Sequence, residues 1–333
     1  AEGDIHVVEL VLGRRLGLFQ TGHPITLGGC YDAETGLAFF AADAERVFAI
    51  DPAVVDPAGD DQQPKACRSI LFSNHPSGSL RSEPVVVGPY LILSEASELE
   101  HTRLRVFPIK ETGFSRPDMS PLESVRLDGW AWFSPECTPD RITLVTDHGD
   151  LGLFGLNLDN PDEALYPIVE PVPGEPTEGL PSRDVFRTMA VHAEEHLLWV
   201  IAGGSLQKLS VDVLGQKIVS IWNKADDAPE MNGIPVHEPQ IDRADEAFYL
   251  TTMSPSGHSY RFTAVDAETG DPRWKCRLGF DVWGDPLVWD DRLVMIDRTG
   301  QTCYFRPSDS FGQSDMPRIQ QFPDGPGLPP GAD

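Results

Sequence analysis

Six residues invite chemistry once the chain is cut at its recurrent strand openings. His23, Glu83, Ser134, Arg187, Glu238 and Asp285 each stand one position ahead of an opening residue: Pro24, Pro84, Pro135, Thr188, Pro239 and Pro286. If the strands that follow surround a common axis, three carboxylates, an imidazole and a guanidinium converge at one mouth. Such a set on rigid strands is preorganised to hold a divalent cation such as Ca²⁺, or a small polar ligand. The competing reading pairs Arg187 with the acids and fills the channel with water. Two positions further upstream, Trp132 and Trp283 offer aromatic faces suited to stacking a sugar or a partner side chain.

Other motifs lack the context their chemistry needs. The stretch HAEEH, from His192 to His196, fits a zinc-peptidase pattern whose two histidines must share one helical face. Here it falls at a turn between two strands, so the imidazoles do not converge and a metallopeptidase is not expected. The acidic loops 56–61 and 158–164 lack EF-hand spacing and read as solvated turns. Five scattered cysteines, Cys30, Cys67, Cys137, Cys276 and Cys303, contain no C-x-x-C pair. That argues against a disulfide framework and a thiolate zinc site, and for small buried apolar residues.

Charge narrows the partners. Lys and Arg total 26 against 52 Asp and Glu, a formal charge of −26. Such a surface repels phosphate backbones and anionic lipid, so neither nucleic acid nor a membrane surface is expected as a partner. No apolar run reaches the roughly 20 residues a transmembrane helix needs. The chain opens at Ala1 on an acidic, alternating stretch without the basic and apolar regions of a signal peptide. The expectation is a monomeric domain of a longer protein.

The elements that would position these residues are strands. Thirty glycines and thirty prolines punctuate the chain and leave few windows for a helix. Between them lie short runs rich in β-branched and aromatic residues, such as RITLVT (141–146), AFYLTT (247–252) and RLVMID (292–297). Each is the second strand of a unit of about 50 residues that recurs six times. Six consecutive β-meanders predict an all-β fold, a β-propeller of six blades. The segment 4–13 is expected to close the ring by joining the last blade, with a seventh blade built from 4–20 as the alternative. One domain over 1–321 would then end in a Pro/Gly-rich linker, 322–333.

The fifth unit, YRFTAVDAETGDPRWKCRLG (260–279), resembles the pyrroloquinoline-quinone-like propeller repeat. Asp266, Thr269, Gly270 and Trp274 match its Asp-x-x-Thr-Gly turn and outer-strand Trp. Asp51, Asp159 and Asp212 keep the Asp position elsewhere, and Trp222 approximates the Trp. The resemblance implies a propeller related to quinoproteins and outer-membrane assembly lipoproteins, and with it a periplasmic or envelope setting. Quinone-dependent relatives use adjacent cysteines and a calcium site; this chain has no adjacent Cys pair, so the quinone cofactor is not expected. The pentapeptide DAETG also occurs at 32–36, but between a first and a second strand, where Asp51 is the counterpart of Asp266.

With no classical catalytic set, the sequence points to a non-enzymatic scaffold that binds a protein partner through its loops. The alternatives are a metal-dependent hydrolase or lyase, or a sugar- or peptide-binding module, at the axial mouth.

Overall fold

The computed structural model describes residues 3–9, 14–54, 64–97, 100–115, 125–158, 160, 163–172, 187–192, 196–202, 205–212, 214, 216–224, 234–242, 246–254, 259–279, 282–289, 292–297, 302–305 and 320–321. Apart from a 3₁₀ turn at Pro52–Val54, every regular element among them is a strand. The chain divides into two compact units, Ala1–Pro176 and Thr177–Asp333.

The first unit contains three antiparallel meanders. The first runs Gly29–Asp32, Leu37–Ala41, Arg46–Ile50 and Ser69–Phe72. In the second, Val85–Val87, Tyr90–Ser97 and His101–Lys110 follow one another, and Gly113–Phe114 and Arg126–Asp128 share the fourth position. The third is Glu136–Thr138, Arg141–Val145, Leu151–Leu156 and Leu165–Val172.

The second unit contains three more. The fourth meander is Arg187–His192, Leu197–Ala202, Ser205–Asp212 and Lys217–Asn223. In the fifth, Ile234–Pro235 and Gln240–Asp242 both pair with Ala247–Met253, which Tyr260–Asp266 and Pro272–Leu278 follow. Val282–Trp289, Arg292–Asp297, Thr302–Phe305 and Gln320–Gln321 make the sixth. Six four-position meanders therefore stand where the sequence units predict them.

Alternation explains how the sheets stack. In Tyr90–Ser97, Leu91 and Leu93 join Leu37, Phe39, Val47 and Leu71 of the first meander. The intervening Ile92 joins Ile142, Leu144 and Phe154 of the third. A strand buried on both faces reads as a continuous apolar run because neither face meets water. The second unit repeats the scheme: Trp199 and Ile201 pack with Phe248 and Leu250, while Tyr249, Phe262 and Trp274 pack with Val282, Leu293 and Met295. Each fully buried side chain of this size contributes roughly 1.5–3 kcal/mol.

The expected exchange of strands at the chain ends is corrected. Asp4–Val8 pairs antiparallel with Arg15–Gln20, which pairs in parallel with Pro64–Lys65. This three-stranded sheet packs Ile5, Val7 and Phe19 against Phe40 and Ile50 of the first meander. The outer strand of the sixth meander is Gln320–Gln321, on Thr302–Phe305. A hairpin with a neighbour in sequence costs far less loop-closure entropy than pairing across the length of the chain. The short run IQQF at 319–322, set between Pro317 and Pro323, supplies the late strand.

Candidate functional site

The residues of the presumed axial ring do not share one register. Glu83, Ser134 and Glu238 each stand two positions ahead of a first strand, at Val85, Glu136 and Gln240. His23 lies six positions ahead of Gly29, and Arg187 is itself the first residue of its strand. Asp285 lies inside Val282–Trp289, where the register shifts between Trp283 and Leu287. Pro286 in that interval has no N–H for the ladder, so the strand bulges around it.

In the first unit, the strands Gly29–Asp32, Val85–Val87 and Glu136–Thr138 run next to one another. The Glu83 carboxylate folds over Gly28, where an added Cβ would come within 2.0 Å of Oε1. Ser134 Oγ donates to the Glu83 carbonyl at 3.3 Å. The His23 ring instead tilts against Phe48, with 5.9 Å between ring centres. Burial pushes the Cys30 thiol up to about 12, and the nearby carboxylates of Asp32 and Glu83 push the same way. A thiol so protonated is no nucleophile at neutral pH.

In the second unit, one carboxylate oxygen gathers two neighbours. Asp285 Oδ1 accepts the Glu238 N–H at 3.0 Å and lies 3.2 Å from His237 Nδ1. Trp283 pairs across the strands with Ile296. Thus Glu83 and Ser134 meet in one unit, and Glu238 and Asp285 in the other. Among the described residues, no three His, Cys, Asp or Glu side chains are grouped closely enough to hold a metal ion.

Trp132 belongs to a constellation the sequence reading did not find. Its indole Nε1 donates to Asp147 Oδ2 at 3.1 Å, while Asp147 Oδ1 accepts the Trp130 main-chain N–H at 2.7 Å. Trp130 and Trp132 meet edge-to-face, their centres 5.9 Å apart at 66°. Arg81 occupies the corner between them, its guanidinium carbon 5.4 Å and 5.1 Å from the two ring centres. The signal was the W-A-W spacing at 130–132, two aromatics on one side of an extended loop.

The two DAETG turns use one chemistry at two corners. Asp32 accepts the amides of Glu34 and Thr35 at 3.2 and 3.0 Å, and Gly36 turns back at φ +72°. Asp266 accepts those of Glu268 and Thr269, both at 2.9 Å, and Gly270 has φ +76°. The first turn joins first and second strands, the other third and fourth. At the third-to-fourth corner the Asp also meets a cation: Asp51 with Arg68, Asp212 with Lys217, Asp266 with Arg273. Asp159 lies outside the described residues, as do 193–195 of HAEEH; His192 and Leu197 on either side pair directly across the hairpin.

An open groove of about 680 Å³ in the first unit is bordered by Thr35, Pro89, Lys110, Glu111 and Leu158. It joins the tips of hairpins from three successive meanders.

No family model matches the sequence, and neither does any curated protein. Solved structures do. BamB from Moraxella catarrhalis is 13% identical, with 93% of this chain and 80% of that chain covered at a TM-score of 0.59. Sqt1 of Saccharomyces cerevisiae is 8% identical, with 95% and 79% covered at a TM-score of 0.64. A functionally unknown protein from Desulfotomaculum acetoxidans is 11% identical, with 92% and 90% covered at a TM-score of 0.59. At these identities the likeness speaks to fold alone, and that fold is the all-β propeller.

Proposed function

We propose that this chain is a six-bladed, closed propeller serving as a non-enzymatic scaffold for a protein partner, within a larger protein of the cell envelope. The observation that carries this reading is apolar surface on outer strands. Ile70 and Phe72 on Ser69–Phe72 are 40% and 49% exposed, and Val219 and Ile221 on Lys217–Asn223 are 45% and 50% exposed. On a surface with 26 excess negative charges, such patches stand out as sites for another protein. Stacked sheets hold them rigidly, which lowers the ordering cost of binding.

The test is retention of a partner from native extract by the wild type and by a Val219→Lys/Ile221→Lys variant with unchanged thermal unfolding. Specific retention by the first and loss by the second supports the scaffold. Retention of nothing by the wild type removes it.

The rival reading, a metal-dependent hydrolase or lyase, draws on the Asp285 carboxylate meeting the His237 ring and the Glu238 main-chain N–H. A thermal shift on adding Ca²⁺ or Zn²⁺, reversed by a chelator and lost in Asp285→Asn, would favour it instead.

A further inference from the structure

Arg81 is exposed, yet two indoles hold its guanidinium. An arginine side chain normally loses considerable rotamer freedom when it binds; here much of that cost is met in the free protein. The Trp132 ring and the Trp130 main chain are themselves held. Asp147 is buried and accepts both the Trp130 amide and the Trp132 indole N–H. Below them, the Ala131 N–H donates to Thr102 Oγ1 at 2.7 Å, and Thr102 Oγ1 donates to the Gly129 carbonyl at 2.8 Å. Gly129 has φ +85°, and an added Cβ would strike Asp147 Oδ1 at 2.7 Å. The loop is built to keep two Trp rings around one cation.

Among the described residues that cation has no carboxylate of its own. Among the described residues Arg81 makes no ion pair or hydrogen bond, although acidic residues outnumber basic ones two to one in this chain. Two acids of the neighbourhood are otherwise engaged: Glu83, two positions on in sequence, folds over Gly28, and Asp147 accepts from the same two tryptophans that contact Arg81. Ring contacts satisfy no hydrogen bond, so the guanidinium's N–H donors stay available to a bidentate acceptor.

From this geometry we infer that Arg81, Trp130 and Trp132 form a carboxylate-recognition site for an Asp or Glu side chain of a protein partner. The inference rests on the scaffold reading and names the chemistry it would use. Two features favour a peptide carboxylate over a free anion. The long-range field of the chain repels small anions, so the ligand must bring further contacts to offset it. Trp130 and Trp132 are half-buried and supply them, as an apolar surface for the residues flanking the acid. Trp and Arg together are the residue types that dominate binding energy at interfaces.

The test titrates the full chain with acetyl-Leu-Glu-Leu-amide and its Gln counterpart, following the indole N–H signals assigned through Trp130→Phe and Trp132→Phe. The Glu peptide should shift both signals and bind at least about fivefold tighter than the Gln peptide, as expected for a charge-assisted bidentate contact. Arg81→Gln should erase the difference while thermal unfolding stays unchanged, and Arg81→Lys should restore only part of it. Equal response to both peptides overturns the inference, as does a preference that survives in Arg81→Gln. So does inorganic phosphate producing the same shifts at the same concentration, which would make this a general anion site. A partner retained equally by wild type and Arg81→Gln removes this site and leaves the scaffold standing.

Discussion

Trp222 of the fourth meander lies against Gly270 of the fifth, so closely that a Cβ on Gly270 would sit 2.5 Å from Cη2. Trp222 Nε1 donates to the Glu268 carbonyl at 3.0 Å, and Trp199 Nε1 to that of Ala267 at 3.2 Å. Lys208 and Lys224 reach Glu268 and Asp271 at 2.9 and 3.1 Å. The DAETG turn is therefore a handle by which one sheet grips the next.

Gly270→Ala should accordingly be costly for two reasons. A left-handed L-residue costs about 1–2 kcal/mol. Displacing a packed indole adds roughly 1–3 kcal/mol. Gly36 is the control, since it has φ +72° in the twin turn but no neighbour within 4 Å of an added Cβ. Gly36→Ala should show the backbone cost alone, about 1–2 kcal/mol by urea unfolding. Equal losses at the two sites would mean that Trp222 does not depend on Gly270.

Asp266 should make acid stability depend on that same turn. The amide of Thr269 holds its carboxyl below the usual 3.8, with Arg273 and the Glu268 amide adding to the effect against burial. A depressed folded pKa means the unfolded chain binds more protons in the window below 3.8, so the contribution is complete at neutral pH and lost on acidification. Asp266→Asn keeps much of the shape and removes the titration. Its deficit against wild type should be largest at neutral pH and shrink as pH falls below 3.8. A deficit constant with pH would contradict the assignment.

The strands were legible because burial on both faces leaves a continuous apolar run, as in YLIL (90–93), which follows Gly88 and Pro89. The distinction between the two DAETG turns was legible too, since each turn's place depends on the strands beside it. The ring register was not. It took Pro24 and Pro286 as strand openings, whereas Gly29 opens one strand and Val282 the other, ahead of a bulge that no periodicity announces. The pairing of 4–13 with the last blade was not legible, because one strand's alternation cannot say which edge it joins; the alternative, which grouped 4–20 apart, covers the hairpin found there. Arg81 was missed for a related reason: a long side chain finds its aromatic partners through a neighbouring meander, 49 and 51 positions on.

His75 predicts a second pH effect, nearer neutrality. It is 1% exposed; Nε2 donates to the Ala42 carbonyl at 2.9 Å and Nδ1 meets Ser73 Oγ. Burial holds its pKa below 6.5; Arg105 works in the same direction, while the Ala42 carbonyl, Glu95 and Asp43 oppose. Between the depressed folded value and 6.5 the unfolded chain binds the extra proton, so stability falls as pH drops through that window. His75→Gln should flatten the melting temperature over it, at some cost in stability above it. An unchanged slope would show that His75 does not titrate on unfolding.

Glu95 and Arg105 test how far this polar pocket between the first two meanders is stabilising. Their side chains are 8% and 9% exposed, and Arg105 Nη1 donates to Glu95 Oε2 at 3.1 Å. Among the described residues Arg105 Nε is buried without a partner, so the surroundings satisfy the pair incompletely. Removing one charge leaves the other buried and uncompensated, at a cost of about 3–5 kcal/mol. Glu95→Gln and Arg105→Met should each lose that much by denaturant unfolding. Glu95→Met/Arg105→Met removes both charges at similar volume, and should recover most of the loss because neither desolvation cost remains. A double variant as unstable as the sum of the singles would show that the two residues act independently, each through its own contacts rather than through the ion pair.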